Sequence, residues 1–101
     1  MKRTKSMIYK PSDEAQECYI VATNESRLYP MIQAIENNLS KKIVKGIFDA
    51  EKATEAFFHV TTEVSKKYLK DFGYAFTVTE RWTAAQDMRD SFLSEYRLQE
   101  G

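Results

Sequence analysis

A chain of 101 residues with 43% hydrophobic and 13% aromatic side chains has the makings of one folded domain and too many apolar groups for a disordered segment. Fifteen basic and fifteen acidic side chains cancel, which argues against a nucleic-acid binder with the usual basic excess and against an acidic nucleic-acid mimic. The single cysteine excludes an internal disulfide, and no apolar run suits a membrane span or a signal peptide, so a cytoplasmic protein is expected.

Residues 1–10 gather Lys2, Arg3, Lys5 and Lys10 around Met7, Ile8 and Tyr9. They read as a basic flexible arm ahead of a helical domain over residues 11–98, with residues 99–101 as a fraying tail. Ser12 is a good N-cap, and Asp13, Glu14 and Glu17 suit the positive end of a first helix reaching Asn24. Ala15, Cys18, Tyr19 and Ala22 share one of its faces, so Cys18 is expected as a buried structural thiol.

A second helix is predicted from about Arg27 to Lys45, with Ser26 as cap and Pro30 tolerated in the first turn. Leu28, Met31, Ile32, Ile35, Leu39 and Ile43 form its stripe, and Gly46 ends it. The link of Gly46, Ile47 and Phe48 is short, so the next helix should form an antiparallel or steeply crossed hairpin with this one.

That next helix, from the Asp49 cap to Gly73, is the expected hub. Ala53, Phe57, Val60, Val64 and Tyr68 recur at the spacing of one helical face. Phe58, Leu69 and Phe72 form a second flank about 100° further round, so two neighbours are expected. The face bearing Lys52, Glu55, His59, Glu63, Lys66 and Lys70 reads as solvated. Residues 74–78 alternate large apolar with small or polar side chains, and predict an extended connector that packs Tyr74, Phe76 and Val78 on the core. A short strand paired with Met7–Tyr9, or exchanged in a dimer, is the alternative. The last helix is predicted from Glu80 to Leu98 with Thr79 as cap, and Trp82, Ala85, Met88, Phe92, Leu93 and Tyr96 share its apolar arc. Asp71 and Arg89 both fall inside apolar arcs, which predicts an ion pair between them across the helix interface. The fold class is therefore all-α, a compact bundle of about four helices around a long central one.

Chemistry-bearing motifs are few. A helix-turn-helix reading around Gly46 fails: Lys42 and Lys52 occupy positions that want small and apolar residues, and the second helix opens with Asp49, Glu51 and Glu55, which phosphates repel. Asp71-Phe72-Gly73 matches a kinase triplet without the rest of that machinery. His59, the only histidine, has no second His or Cys at ligand spacing, and His59-Val60-Thr61 is half of a paired phosphoesterase motif whose other half is absent. No catalytic, metal or cofactor site is therefore expected. Tyr29, Tyr74, Phe76 and Trp82 are the candidate partner-binding residues, because aromatics exceed what a small core easily hides. Lys2, Arg3, Lys5, Lys41, Lys42 and Lys45 are the candidates for nucleic-acid contact, the alternative reading.

The stretch from Phe48 to Gly73, with its flanks, resembles small uncharacterised proteins encoded by tailed phages and prophages. The matching residues are Phe48, Asp49, Lys52 and Ala53, then Lys66, Tyr68, Lys70, Asp71 and Phe72, then Phe92, Glu95 and Tyr96, within a likeness covering roughly residues 17–97. The resemblance implies a phage accessory protein in a bacterial host's cytoplasm that binds a host protein or itself, and implies no catalysis.

Overall fold

The computed structural model describes residues 12–100, and among these the chain forms four helices and no strand. They are α1 (Asp13–Asn24), α2 (Tyr29–Val44), α3 (Ala50–Phe72) and α4 (Val78–Glu100). The described residues span 42 × 28 × 25 Å. The basic arm, with Lys2, Arg3, Lys5 and the Met7–Tyr9 segment, lies outside the described residues.

Helix α3 is the hub, and its ends are set by two side-chain choices. The Asp49 carboxylate accepts from the backbone N–H groups of Glu51 (2.9 Å) and Lys52 (3.2 Å), two of the donors that a helix start leaves unpaired. Gly73 closes the other end at φ 72°, a left-handed conformation that glycine adopts without a Cβ clash. Ala53, Phe57, Val60 and Val64 are fully buried, as their spacing predicts, while Lys52, Glu55, His59, Lys66 and Lys70 are exposed. Helix α1 packs against both long helices through Ala15, Cys18 and Ala22, three small residues that let its backbone come close. Its Ser12 cap accepts from the N–H of Ala15 (3.2 Å), and the Ser12 N–H donates to Asp87 of α4 (3.1 Å).

Helix α2 begins two residues later than expected, and Ser26 does not cap it. Leu28 occupies the cap position with no side-chain bond, and it is buried at 1% exposure. Burial of an apolar anchor has replaced a polar cap, and Pro30 sits in the first turn, where its missing N–H costs nothing. At the other end the Gly46 N–H reaches the Ile43 carbonyl and the Ile47 N–H reaches Lys42, the paired bonds of a Schellman stop. The turn into α3 therefore needs few residues.

Helices α3 and α4 make the most extensive contact, an antiparallel hairpin joined by Gly73 and residues 74–77. Its register is fixed by two hydrogen bonds from arginine to threonine. Arg89 Nη1 donates to Thr54 Oγ1 (2.7 Å) and Arg81 Nη1 to Thr62 Oγ1 (2.6 Å), a step of eight positions along each helix. The expected Asp71–Arg89 pair is thereby excluded. Asp71 lies at the far end of α3, roughly 25 Å along the axis from Thr54, where it pairs with Lys67 at 2.6 Å, while Arg89 also pairs with Asp90 at 2.8 Å.

Two further expectations change at this hairpin. Of the expected second flank of α3, Phe58 packs on the core, edge-on to Trp82 of α4, whereas Leu69 and Phe72 are exposed. Thr54, Thr61 and Ser65 are buried as well. These hydroxyls tolerate burial because Thr54 bonds back to the Ala50 carbonyl (2.9 Å) and Thr61 to that of Phe58 (2.8 Å), while Ser65 reaches the Phe76 carbonyl (3.4 Å). The cap of α4 is Thr77, not Thr79. Thr77 Oγ1 accepts from the Glu80 N–H (3.1 Å), and the Glu80 carboxylate accepts from the Thr77 N–H (2.9 Å), a reciprocal box that Thr79 has no acidic partner to build. Val78 is drawn into the first turn and left exposed, so of the expected connector anchors only Phe76 is buried.

Candidate functional site

The α3–α4 turn carries a run of aromatic rings that begins in the core and ends in solvent. Phe76, at 6% exposure, is the floor. Tyr68 leans on it with centroids 5.0 Å apart, Phe72 leans on Tyr68 at 4.8 Å, and Tyr74 meets Phe76 edge-on at 5.8 Å. Phe72 is 67% exposed, Leu69 57% and Tyr74 46%. These three side chains lie in the last turn of α3 and in the connector that follows it.

Hydrogen bonds hold this turn in one shape. Tyr68 donates to Glu17 of α1 (2.9 Å), and Tyr74 donates to the Glu80 carboxylate that also closes the α4 cap. The Glu80 bond, partial burial and the charges of Glu80, Glu14 and Glu17 together push the Tyr74 phenol up to about 12. The same Tyr74 bond, with help from Thr77, holds Glu80 below the usual carboxylate value. Burial first, and then Glu17, raise Tyr68. Glu14, Glu17 and Glu80 thus concentrate negative charge beside exposed rings, and none of the three forms an ion pair among the described residues.

The four aromatics singled out by sequence divide. Tyr74 belongs to this surface and Phe76 lies beneath it, too buried to meet a partner. Trp82 stands elsewhere on α4, edge-on to Phe58 at 5.2 Å, where Arg81 also covers the Phe58 ring at 5.0 Å. Tyr29 is exposed at the start of α2 and shares no ring contact with the cluster. Leu69 and Phe72, read from the sequence as core, are the members that periodicity missed.

Lys41 and Lys42 lie in the last turn of α2 and Lys45 is its C-cap, where positive charge offsets the helix dipole. Cys18 is fully buried, and burial, followed by Glu17 and Glu14, pushes its thiol up to about 12, leaving no thiolate at neutral pH. His59 is exposed, and among the described residues no group of three or more His, Cys, Asp or Glu is placed to hold a metal.

A shallow cleft of about 330 Å³ is lined by Glu25, Arg27, Lys66, Lys67 and Lys70, with Lys67 already committed to Glu25 (3.3 Å) and Asp71. A smaller one of about 170 Å³ lies between α2 and α4, where burial and then Glu95 raise Glu36 above the usual carboxylate value. Among the described residues no helix is long and apolar enough to cross a membrane. No protein-family model, curated protein or solved structure matches the chain.

Proposed function

We propose that this chain is a non-catalytic accessory protein that works by docking another protein on the surface formed by Leu69, Phe72 and Tyr74. One observation carries the reading. On a single helix Phe57 is fully buried while Phe72 is 67% exposed and stacked on a neighbouring ring. Exposed aromatics in a contiguous, preordered cluster are what interface cores are made of, because they bury much area with few rotors to freeze. The Tyr68–Glu17 and Tyr74–Glu80 bonds lower the ordering cost further by fixing the rings in advance.

In the phage setting implied by the resemblance, the partner is a host protein in the bacterial cytoplasm. The test uses Leu69→Ser/Phe72→Ser, two exposed positions whose change leaves the core untouched. Wild type and variant serve as baits in extract from a bacterial host, with helicity and light scattering measured in parallel. A partner retained in stoichiometric amount by wild type and lost by the equally folded variant is expected. Identical retention by both contradicts the proposal.

A further inference from the structure

We infer that Arg81 receives a carboxylate, an Asp or Glu of a partner protein, presented beside an apolar residue that lies on Trp82 and Val78. This point is separate from the surface of Leu69, Phe72 and Tyr74, and the chain carries its own template for it. Two arginine–threonine bonds tie α3 to α4, and the two arginines differ in what meets the rest of the guanidinium. Arg89 gives Nη1 to Thr54 (2.7 Å), while one oxygen of Asp90 takes both Nε (3.0 Å) and Nη2 (2.8 Å). Arg81 gives Nη1 to Thr62 (2.6 Å), but the residue after it is Trp82 rather than an aspartate. Its Nε is buried and, alone among the buried side-chain nitrogens and oxygens of the described residues, has no hydrogen-bond partner.

A donor taken out of water with no acceptor in return is costly, and more so when it belongs to a charged group. The rest of the chain does not supply the acceptor. Among the described residues no carboxylate pairs with Arg81, and residues 1–11 contain no Asp or Glu. Glu100 lies roughly 28 Å further along the axis of α4. The guanidinium is nevertheless fixed, lying over the Phe58 ring at 5.0 Å, and Phe58 in turn meets Trp82 edge-on at 5.2 Å. Its plane is therefore set before a partner arrives, which lowers the cost of binding. A carboxylate matches the fork of Nε and Nη2 in shape and charge. Trp82, 36% exposed, and Val78, 63% exposed and one turn earlier on α4, offer the apolar contact beside it. Because Nε is closed to water, the carboxylate meets Nη2 first and gains Nε as the Arg81 side chain turns outward.

The test titrates the full chain, isotopically labelled, with two short peptides that differ only in carrying Glu or Gln next to a leucine. The Nε–H signal of Arg81 and the indole N–H of Trp82 should shift with the Glu peptide, whereas the Nε–H of Arg89, already met by Asp90, should stay in place. The Glu peptide should bind about tenfold more tightly than the Gln peptide. Trp82→Asp puts a carboxylate where Asp90 stands relative to Arg89 and should erase that preference, while Trp82→Asn removes the same ring and should keep it. Helicity is measured in parallel, and if either variant unfolds the arginine signals of the unaltered chain decide. Equal affinity for the two peptides, shifts at Arg89 as large as at Arg81, or no binding of either peptide overturns the inference. A preference for Glu that survives in folded Trp82→Asp overturns it too.

Discussion

Replacing Phe57 by Ala removes a ring with no exposed surface from the middle of the hub helix. Returning such a side chain to water costs about 1.5–3 kcal/mol in transfer free energy. The void left between Ala53, Val60, Val64 and Met88 adds to that, for a total of about 3–5 kcal/mol. A domain this size holds roughly 5–15 kcal/mol in reserve, so the variant should be close to unfolding at 37 °C. At about 4–8 °C of Tm per kcal/mol, the melting point should fall by roughly 12–40 °C. Phe72→Ala is the internal control, because it deletes the same ring from the same helix where 67% of the residue is exposed. Its cost should stay within about 0.5 kcal/mol. Urea unfolding followed by helicity, extrapolated linearly to water, measures both. Equal losses for the two variants, or a loss below about 1 kcal/mol for Phe57→Ala, would refute the assignment of α3 as a helix wrapped in its middle and bare at its end.

Glu36→Gln should stabilise the protein at neutral pH. Its folded carboxyl lies above the ordinary value of 4.5 because of burial and Glu95. The stability tied to its protonated form is therefore present below 4.5 and lost as pH rises through the raised value. The advantage of the variant should close on acidification, and a gap independent of pH would contradict the cause. Gly73→Ala should cost about 1–2 kcal/mol from its left-handed φ alone, since a Cβ there meets nothing within 4 Å. A larger loss in urea unfolding would mean a steric clash that the fold does not contain. A double-mutant cycle on Thr54 and Arg89 should return a coupling of about 0.5–3 kcal/mol, whereas Asp71 with Arg89 should add independently. The reverse ranking would displace the hairpin register.

Much of this architecture was legible because local and tertiary signals agree. Asp49, Gly73 and the spacing of Ala53, Phe57, Val60 and Val64 all point to one helix with one buried face, and the Ser12 cap and Gly46 stop act through backbone groups only a few residues away. Legibility failed where a neighbour decides. Thr54, Thr61 and Ser65 are polar by type, yet they are buried because α4 lies against them and their hydroxyls find carbonyls. Leu69 and Phe72 are apolar by type and extend the arc of the hub helix, yet they are exposed at its last turn, where no neighbour covers them. Asp71 and Arg89 share helical faces that suggest a meeting, but the antiparallel register separates them by most of the length of α3. The candidate surface was half legible for the same reason. Tyr74 is legible from its chemistry, whereas the exposure of Phe72 depends on which neighbours cover the end of α3.

The docking surface is tested most directly by placing a photoactivatable phenylalanine analogue at position 72 of the full chain, and at the exposed Gln33 of α2 as a control, in a bacterial host. Irradiation should yield one discrete heteromeric adduct from position 72, absent from position 33 and lost when the exposed Leu69 is also changed to Ser. The same adducts from both positions, or none from position 72, would contradict the account.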